Sequence, residues 1–450
     1  METGIEQRLR TGLLTSAEAL TVTDDLPARV DRRITVRRRQ ALSARVAVGT
    51  LAVAAVGAAV MVAGGDDGST DVLPPAVGTP SEGTWEPLPE APISPRFQHA
   101  AVWTGDEMIV FGGYDGGEGG EGGAAACSPA TGAWQRLADP PGEVKGAPVA
   151  VWTGTVVVAF SGERGAIYDP QADDWRTVSD SNLGTVNSSV SHAVWTGEQV
   201  LVAGSISRGE DGPGSGAALY DPATDDWTQL PDAPEALTDG DAVWTGDEVV
   251  FIGHDPGSGL RTPQRMYALA LDPKTATWRR LPAPPLEVRG QPLVSWTGRE
   301  VVVGGGHAFA GAGITADHKD AAAFDPRAGA WRVLPDAPTA FQGNDRYIDV
   351  AVAGRVIAFE TADPDSGVLV LDPTTGEWRL APASNRPELT ERRELPGRRE
   401  APVVSTGTAA LVWGGGVAEV ESEDESIWGC CRAVGEGVLF TPPSGGALPR

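Results

Sequence analysis

Seven tryptophans, Trp85, Trp134, Trp175, Trp227, Trp278, Trp331 and Trp378, recur at intervals of 41 to 53 residues. Each sits in a similar phrase, such as LYDPATDDWTQLPDAP at 219–234 and FDPRAGAWRVLPDAP at 324–338. A second marker follows most of them, as in AVWTGDEMIVFGG (101–113), AVWTGEQVLVAGS (193–205), AVWTGDEVVFIGH (242–254) and VSWTGREVVVGGG (294–306). Self-similarity at a period of 40 to 50 residues is the mark of a repeat architecture, and it overrides the ordinary expectation of two or three globular domains in 450 residues.

One copy, residues 242–281, divides into four short strands. AVW (242–244) and VVFIG (249–253) flank the turn TGDE; YALALD (267–272) and TWRRLP (277–282) flank the turn DPKTAT. Alternating short apolar runs with Gly, Asp and Pro between them read as hairpins, and four strands per repeat make one blade of a β-propeller. The 58 glycines and 36 prolines suit that many tight turns. The periodic Trp is expected to cover the face between blades. The glycines ending the second strand permit close backbone approach near the central channel, and the Asp of each DP turn is expected to accept backbone N–H groups.

First hairpins and third strands each count to seven, the last third strand being GVLFTPP (437–443). The Trp-bearing strand starts one step early, at Trp85, and the last copy has none after it. The economical solution gives residues around Trp85 to the seventh blade, closing the ring and removing exposed sheet edges. A competing arrangement uses Ala447–Pro449 as that outer strand.

The pattern resembles the Kelch repeat family: a strand ending in Gly-Gly (Gly112–Gly113, Gly304–Gly305, Gly414–Gly415), an aromatic before DP (Tyr168, Tyr220, Phe324), and Trp a few residues later. Arg96 and His99 in SPRFQHAAVW match that repeat's first strand. The resemblance implies an all-β, seven-bladed Kelch-like propeller over 84–450. Some copies depart from it: Cys127 replaces the aromatic, Gly204 and Gly253 lack a second Gly, and Gly354 follows Ala353 rather than Trp-Thr. The family includes the copper enzyme galactose oxidase, whose chemistry needs two Tyr, two His and a Cys cross-linked to Tyr; no motif here matches that site. No cofactor is expected, and no Asp-box, nucleophile elbow, P-loop or zinc motif is visible.

Ahead of the repeats, residues 46–65 (VAVGTLAVAAVGAAVMVAGG) carry no charge and are long enough as a helix to cross the hydrocarbon of a bilayer. Arg37, Arg38, Arg39 and Arg45 precede the run; Asp66 and Asp67 follow it. The positive-inside rule assigns 1–45 to a cytoplasmic tail, 46–65 to a single-pass transmembrane helix, 66–83 to a Pro/Gly-rich extracytoplasmic linker, and 84–450 to the propeller outside. A cleaved signal peptide would need an n-region of unusual length, and no A-x-A site follows. The tail is read chiefly as a topology signal, with docking of a cytosolic regulator as the alternative. Heavy Ala, Gly and Arg use fits GC-rich bacterial coding. The net charge of −26 disfavours nucleic acid as a partner.

The TG[DE] and DP turns are nearly constant and share one rim; the loops after the second strands and those linking blades vary and share the other, around the channel mouth. Variable loops on a rigid scaffold are the usual place for binding residues. The candidate ligand-binding residues are His254 and His307, read as equivalent repeat positions able to face the channel, together with Asp255 and His318. Tyr114, Asp115, Arg289 and Arg346 complete the set. They suit a polar small molecule, a glycan or a protein. A carbohydrate-active enzyme of epimerase, mutarotase or lyase type is the alternative. No metal set is expected, His99 and His192 are read as structural, and a disulfide involving Cys430 and Cys431 fits an extracytoplasmic setting.

Overall fold

The structure is a computed structural model, described here for residues 83–115, 123–162, 164–179, 190–207, 213–235, 237, 240–254, 265–310, 313–341, 349–359, 368–381, 401–418 and 431–443. The expected transmembrane run at 46–65, the tail and most of the linker lie outside these residues. Among the described residues no helix is long and apolar enough to cross a membrane.

Seven four-stranded antiparallel sheets form a seven-bladed β-propeller. Their first strands are Ala100–Trp103, Val149–Trp152, Val190–Trp195, Asp241–Trp244, Leu293–Trp296, Asp349–Val352 and Val403–Ser405. Each neighbours the next, and the seventh neighbours the first, so they enclose a central channel. The blade read from the sequence over 242–281 is formed by Asp241–Trp244, Val249–His254, Met266–Asp272 and Thr277–Leu281.

The early tryptophan closes the ring. Thr84–Pro87 pairs antiparallel with Gly437–Thr441, in the register Trp85↔Phe440, and so becomes the outer strand of blade 7. Trp85 is buried, 4.6 Å from the Phe440 ring within its own blade and 6.2 Å from the Phe359 ring of blade 6.

Burial explains why both faces of each inner strand are apolar. The core consists of seven clusters, each shared by two adjacent blades. In the second strand of blade 1, Ile109 and Phe111 face blade 2, whereas Met108 and Val110 face blade 7. A period of two with both faces buried gives the continuous apolar runs seen in these strands. The outer strands are largely exposed apart from the Trp, as in TWRRL at Thr277–Leu281.

The repeating Trp ties each blade to the preceding linker. The indole Nε1–H donates to a backbone carbonyl in six successive blades: Trp134 to Pro89 (2.8 Å), Trp175 to Ala138 (2.9 Å), Trp227 to Ser179 (3.0 Å), Trp278 to Pro231 (2.9 Å), Trp331 to Pro282 (2.7 Å) and Trp378 to Pro335 (2.8 Å). An aromatic ending the previous blade's second strand packs on that indole, as Phe111 does on Trp175 and Phe160 on Trp227. Cys127, which lacks the aromatic of its repeat position, pairs with Trp134, and Trp413 of blade 7 packs on that indole at 5.6 Å. The Cys127 thiol is buried and pushed up to about 11, by burial first and then by Glu107.

The constant rim is constant because its side chains make the turns. Thr104 Oγ1 donates to the Glu107 carbonyl and accepts the Glu107 N–H, both at 3.1 Å, and Thr153, Thr196, Thr245, Thr297 and Thr406 repeat the motif. The following glycine takes positive φ, as at Gly105 (110°). The Asp of each DP turn accepts the N–H two residues on, as Asp221 does from Ala223 at 2.9 Å. Blade 6 departs from this pattern with a two-residue hairpin turn in which Ala353 (φ 50°) and Gly354 (φ 76°) are both left-handed.

Candidate functional site

The variable rim is uneven. In blade 2 the second strand ends at Ser161 and the third begins at Arg164. In blade 3 the equivalent hairpin runs on to Ser207 and Pro213. Blade 5 adds a three-stranded sheet of Arg289–Gly290, His307–Ala310 and Gly313–Asp317, and blade 7 adds the hairpin Gly416–Ala418 with Cys431–Ala433.

Blade 5 collects three of the sequence candidates. His307 is buried and pairs with Gly290 and Asp317. The His318 N–H donates to the Gly306 carbonyl at 2.8 Å, and its Nδ1 lies 3.7 Å from Asp320 Oδ1. Arg289 differs from the sequence expectation. It is fully buried rather than displayed on the rim: its Nε donates to the Glu287 carbonyl (2.9 Å), Nη1 to the Gly305 carbonyl (3.0 Å), and Nη1 and Nη2 to the two Asp320 carboxylate oxygens (2.8 and 2.9 Å). These bonds hold the Asp320 carboxyl below the usual carboxylate range.

Arg289 has a twin. Arg96, also fully buried, donates from Nε to the carbonyl two residues back (Ser94, 3.0 Å) and from Nη1 to the carbonyl sixteen residues on (Gly112, 2.9 Å), with further bonds from Nη1 to the Gly123 carbonyl (3.3 Å) and from Nη2 to Ser94 Oγ (3.0 Å). Both arginines therefore clamp a linker onto the Gly-Gly segment ending the second strand. The glycines are needed there: a Cβ on Gly113 would come within 2.6 Å of the Phe97 carbonyl, and one on Gly306 within 2.6 Å of the Gly290 carbonyl.

The other candidates fall on blades 1 and 4. Tyr114 forms a two-way backbone bridge with Phe97 (2.9 Å each way), and its hydroxyl lies over Gly146. Asp115 follows it, half-buried. His254 is the buried last residue of its strand, paired with Met266. The two histidines read as equivalent are offset by one: counted from the Trp244↔Val249 and Trp296↔Val301 pairs, Gly306, not His307, matches His254. Asp255, Arg346 and Cys430 lie outside the described residues, as does the Cys431 side chain. Among the described residues no group of His, Cys, Asp and Glu is arranged to hold a metal ion.

The channel itself holds a cavity of about 210 Å³ walled by the beginnings of the first strands, and so in the half nearest the variable rim. The lining includes one position repeated around the ring: Ala100, Val149, His192, Asp241 and Pro402. In three of these five blades that position is apolar or small; in blades 3 and 4 it is His192 and Asp241. The His192 Nε2 lies 2.9 Å from the Gly240 carbonyl, and the Asp241 Oδ1 accepts the Ala242 N–H at 2.7 Å. His192 is largely buried and Asp241 is exposed. Sequence reasoning looked for ligands only in the variable loops, read His192 as structural and passed over Asp241. The available signal was the contrast of HAVW (192–195) and DAVW (241–244) with AAVW (100–103) and VAVW (149–152).

His99, matched to the repeat by resemblance, is structural. It is fully buried with its ring 5.2 Å from that of Trp413, and its ring nitrogens lie near the Trp413 and Arg96 carbonyls without closing hydrogen bonds. Burial first, and then the Arg96 charge, lower its pKa to about 3, so the ring is neutral at physiological pH.

No family model matches the chain. Among solved structures, that of YjhT is similar with a TM-score of 0.48 and 13% identity, covering 65% of this chain and 99% of YjhT. At that distance the architecture rests on the seven sheets themselves.

Proposed function

We propose that this chain is a membrane-anchored, extracytoplasmic propeller of the Kelch type that acts as a binding module, taking its ligand at the variable rim over the channel. One observation carries the reading: the two ends of the propeller are used differently. On one rim, Thr hydroxyls, turn glycines and DP carboxylates are engaged in the same turn contacts blade after blade. On the other, loop lengths differ from blade to blade, and the cavity beneath carries polar side chains in only two of the five blades whose aligned residues line it. A rigid scaffold with one invariant and one variable end suits recognition by the variable end. The anchoring part rests on the uncharged run 46–65, flanked by arginines before and aspartates after.

A thermal-shift screen of the full-length protein against polar small molecules and glycans tests the binding reading. A ligand at 100 times its Kd stabilises by about 2.7 kcal/mol. Hits are expected to weaken in His192→Leu and Tyr114→Ala and to persist in Asp106→Ala on the constant rim. Hits that respond only to the constant-rim change would reverse the assignment of the ends. Labelling of single cysteines introduced at positions 10 and 75 in intact cells checks the topology; reagent access to position 10 but not 75 would contradict it.

A further inference from the structure

We infer that Gln98 and Gln291 form a two-point grip for an extended, uncharged peptide segment crossing the channel mouth. The inference rests on the binding reading above and names the ligand class for that end of the propeller. The two residues occupy the same place in two blades. With the pairs Trp103↔Met108 and Trp296↔Val301 aligned, residues 96–115 and 289–308 correspond without insertion. Each Gln lies two residues after a clamp arginine. Each also directly follows the linker residue that pairs with the chain beyond the second strand, Phe97 with Tyr114 and Gly290 with His307. Blade 2 has Ala147 at that place. Blades 1 and 5 stand three apart, as far as two positions in a ring of seven can be, so the glutamines lie on opposite sides of the channel.

Both glutamines are held in the left-handed region, at φ 54° and 51°, which is unfavourable for a residue with a Cβ and open to glycine without penalty. The other non-glycine residues of this kind among the described residues have a turn to explain them: Asp173, Asp225 and Ala276 close DP turns, and Ala353 closes the blade 6 hairpin. At both sites the reversed backbone leaves a half-buried glutamine between two buried neighbours, Phe97 and His99 in one blade, Gly290 and Pro292 in the other. Strain kept twice, on polar residues that reach solvent, is explained if the amides are used. The arginine beside each is fully buried and engaged with carbonyls of its own blade, so the matched groups offered to a ligand are neutral. A carboxamide has two N–H donors and two lone pairs, so one bond inside the protein leaves it able to pair with the N–H and C=O of a peptide unit. An extended peptide presents such pairs along its whole length. A sugar ring finds less, since apart from the His192 imidazole none of the described residues lining the cavity is aromatic. An anionic chain is disfavoured by the 55 acidic against 26 basic side chains of residues 46–450.

Affinity selection read by mass spectrometry, with the full-length protein and a pool of capped octapeptides of uncharged residues, tests the inference. The wild type is expected to retain members of the pool. Gln98→Gly and Gln291→Gly are each expected to weaken that binding by about fivefold or more, the loss of a hydrogen bond. The melting midpoint of both variants is expected to stay level or rise, because glycine relieves the left-handed strain. A purely structural glutamine would give the same stability result with no loss of peptide. Gln291→Asn keeps an amide on a residue that tolerates the conformation and is expected to bind better than Gln291→Gly; the reverse order would count against an amide contact. Retention of maltohexaose in place of the peptides, or unchanged peptide binding in both glycine variants, would overturn the inference. If no peptide is retained while other ligands still bind and respond to His192→Leu, this inference falls and the binding reading stands. If nothing binds at the variable end, both fall.

Discussion

Arg289 offers a direct choice between a buried clamp and a ligand-binding side chain, because the two roles predict opposite results. Removing one partner of a buried ion pair costs about 3–5 kcal/mol. Asp320 remains 34% exposed, so water screens its side of the pair and the ionic part is discounted to roughly 2 kcal/mol. Arg289→Met also strands the buried Gly305 carbonyl, adding ~1–2 kcal/mol. The sum is about 3–4 kcal/mol. With an unfolding entropy of ~2.1 cal/mol/K per residue over roughly 370 residues, the melting midpoint is expected to fall by about 4–5 °C. Asp320→Asn should cost less, ~1–2 kcal/mol, since the guanidinium keeps its carbonyl partners. The double variant should show coupling of ~1 kcal/mol or more in a double-mutant cycle followed by circular dichroism. Arg96→Met, which breaks the twin clamp, should fall in the same range as Arg289→Met. An Arg289→Met protein that melts like the wild type but loses ligand would refute the clamp and return Arg289 to the rim.

Other expectations follow from the same geometry. The bonds from Arg289 depress the Asp320 pKa, so their contribution is present above the ordinary carboxylate range near pH 4 and is lost as pH falls through the lower folded value; wild-type and Asp320→Asn melting curves should converge in strong acid. His99 behaves in the related sense for a base. Its folded pKa is near 3 and its unfolded pKa is near 6.5, so the unfolded chain binds the extra proton between these values. Stability should therefore fall by up to ~1.4 kcal/mol per pH unit as pH drops through that window, a slope absent in His99→Leu if acid titrations are compared. Trp331→Phe keeps the ring contact with Phe324 but loses the 2.7 Å bond to the Pro282 carbonyl, and urea unfolding should show a loss of about 1 kcal/mol. Ala353→Asn places a residue tolerant of left-handed φ in the blade 6 turn and should raise stability by roughly 0.5 kcal/mol; a lower midpoint would contradict the strain assigned there.

The architecture was legible because repetition multiplies weak signals. One Trp or one DP turn says little, but seven staggered copies define four strands, seven blades and, through the position of Trp85, the closing strand. The rim chemistry was legible for the same reason, since Thr104 and its counterparts make a local turn that needs nothing from elsewhere in the chain. The site was less legible because its meaning depends on three-dimensional neighbours. Arg289 looked like a polar loop residue, and its burial follows from Gly305 and Asp320, 16 and 31 residues away. Its spacing could have shown the clamp: Arg96 precedes Gly112 by the same 16 residues. His192 and Asp241 sit inside apolar strands, where periodicity makes them look like interruptions of a core, and only closure of the seven first strands turns that position toward a cavity.

Ring closure also governs when the protein can become itself during synthesis. Trp85 is among the first residues of the propeller to be made, and its partner strand, Gly437–Thr441, is among the last, a separation of roughly 350 residues. Blades 1 to 6 can pair their strands as they emerge, each hairpin being local. The outer strand of blade 7 must wait, with an indole exposed and a row of backbone groups unpaired, until nearly the whole chain is complete. The finished ring is thus a proofreading device of a physical kind: a chain interrupted before Gly437 leaves an open sheet edge and an exposed tryptophan, the two features by which an unfinished propeller differs from a finished one.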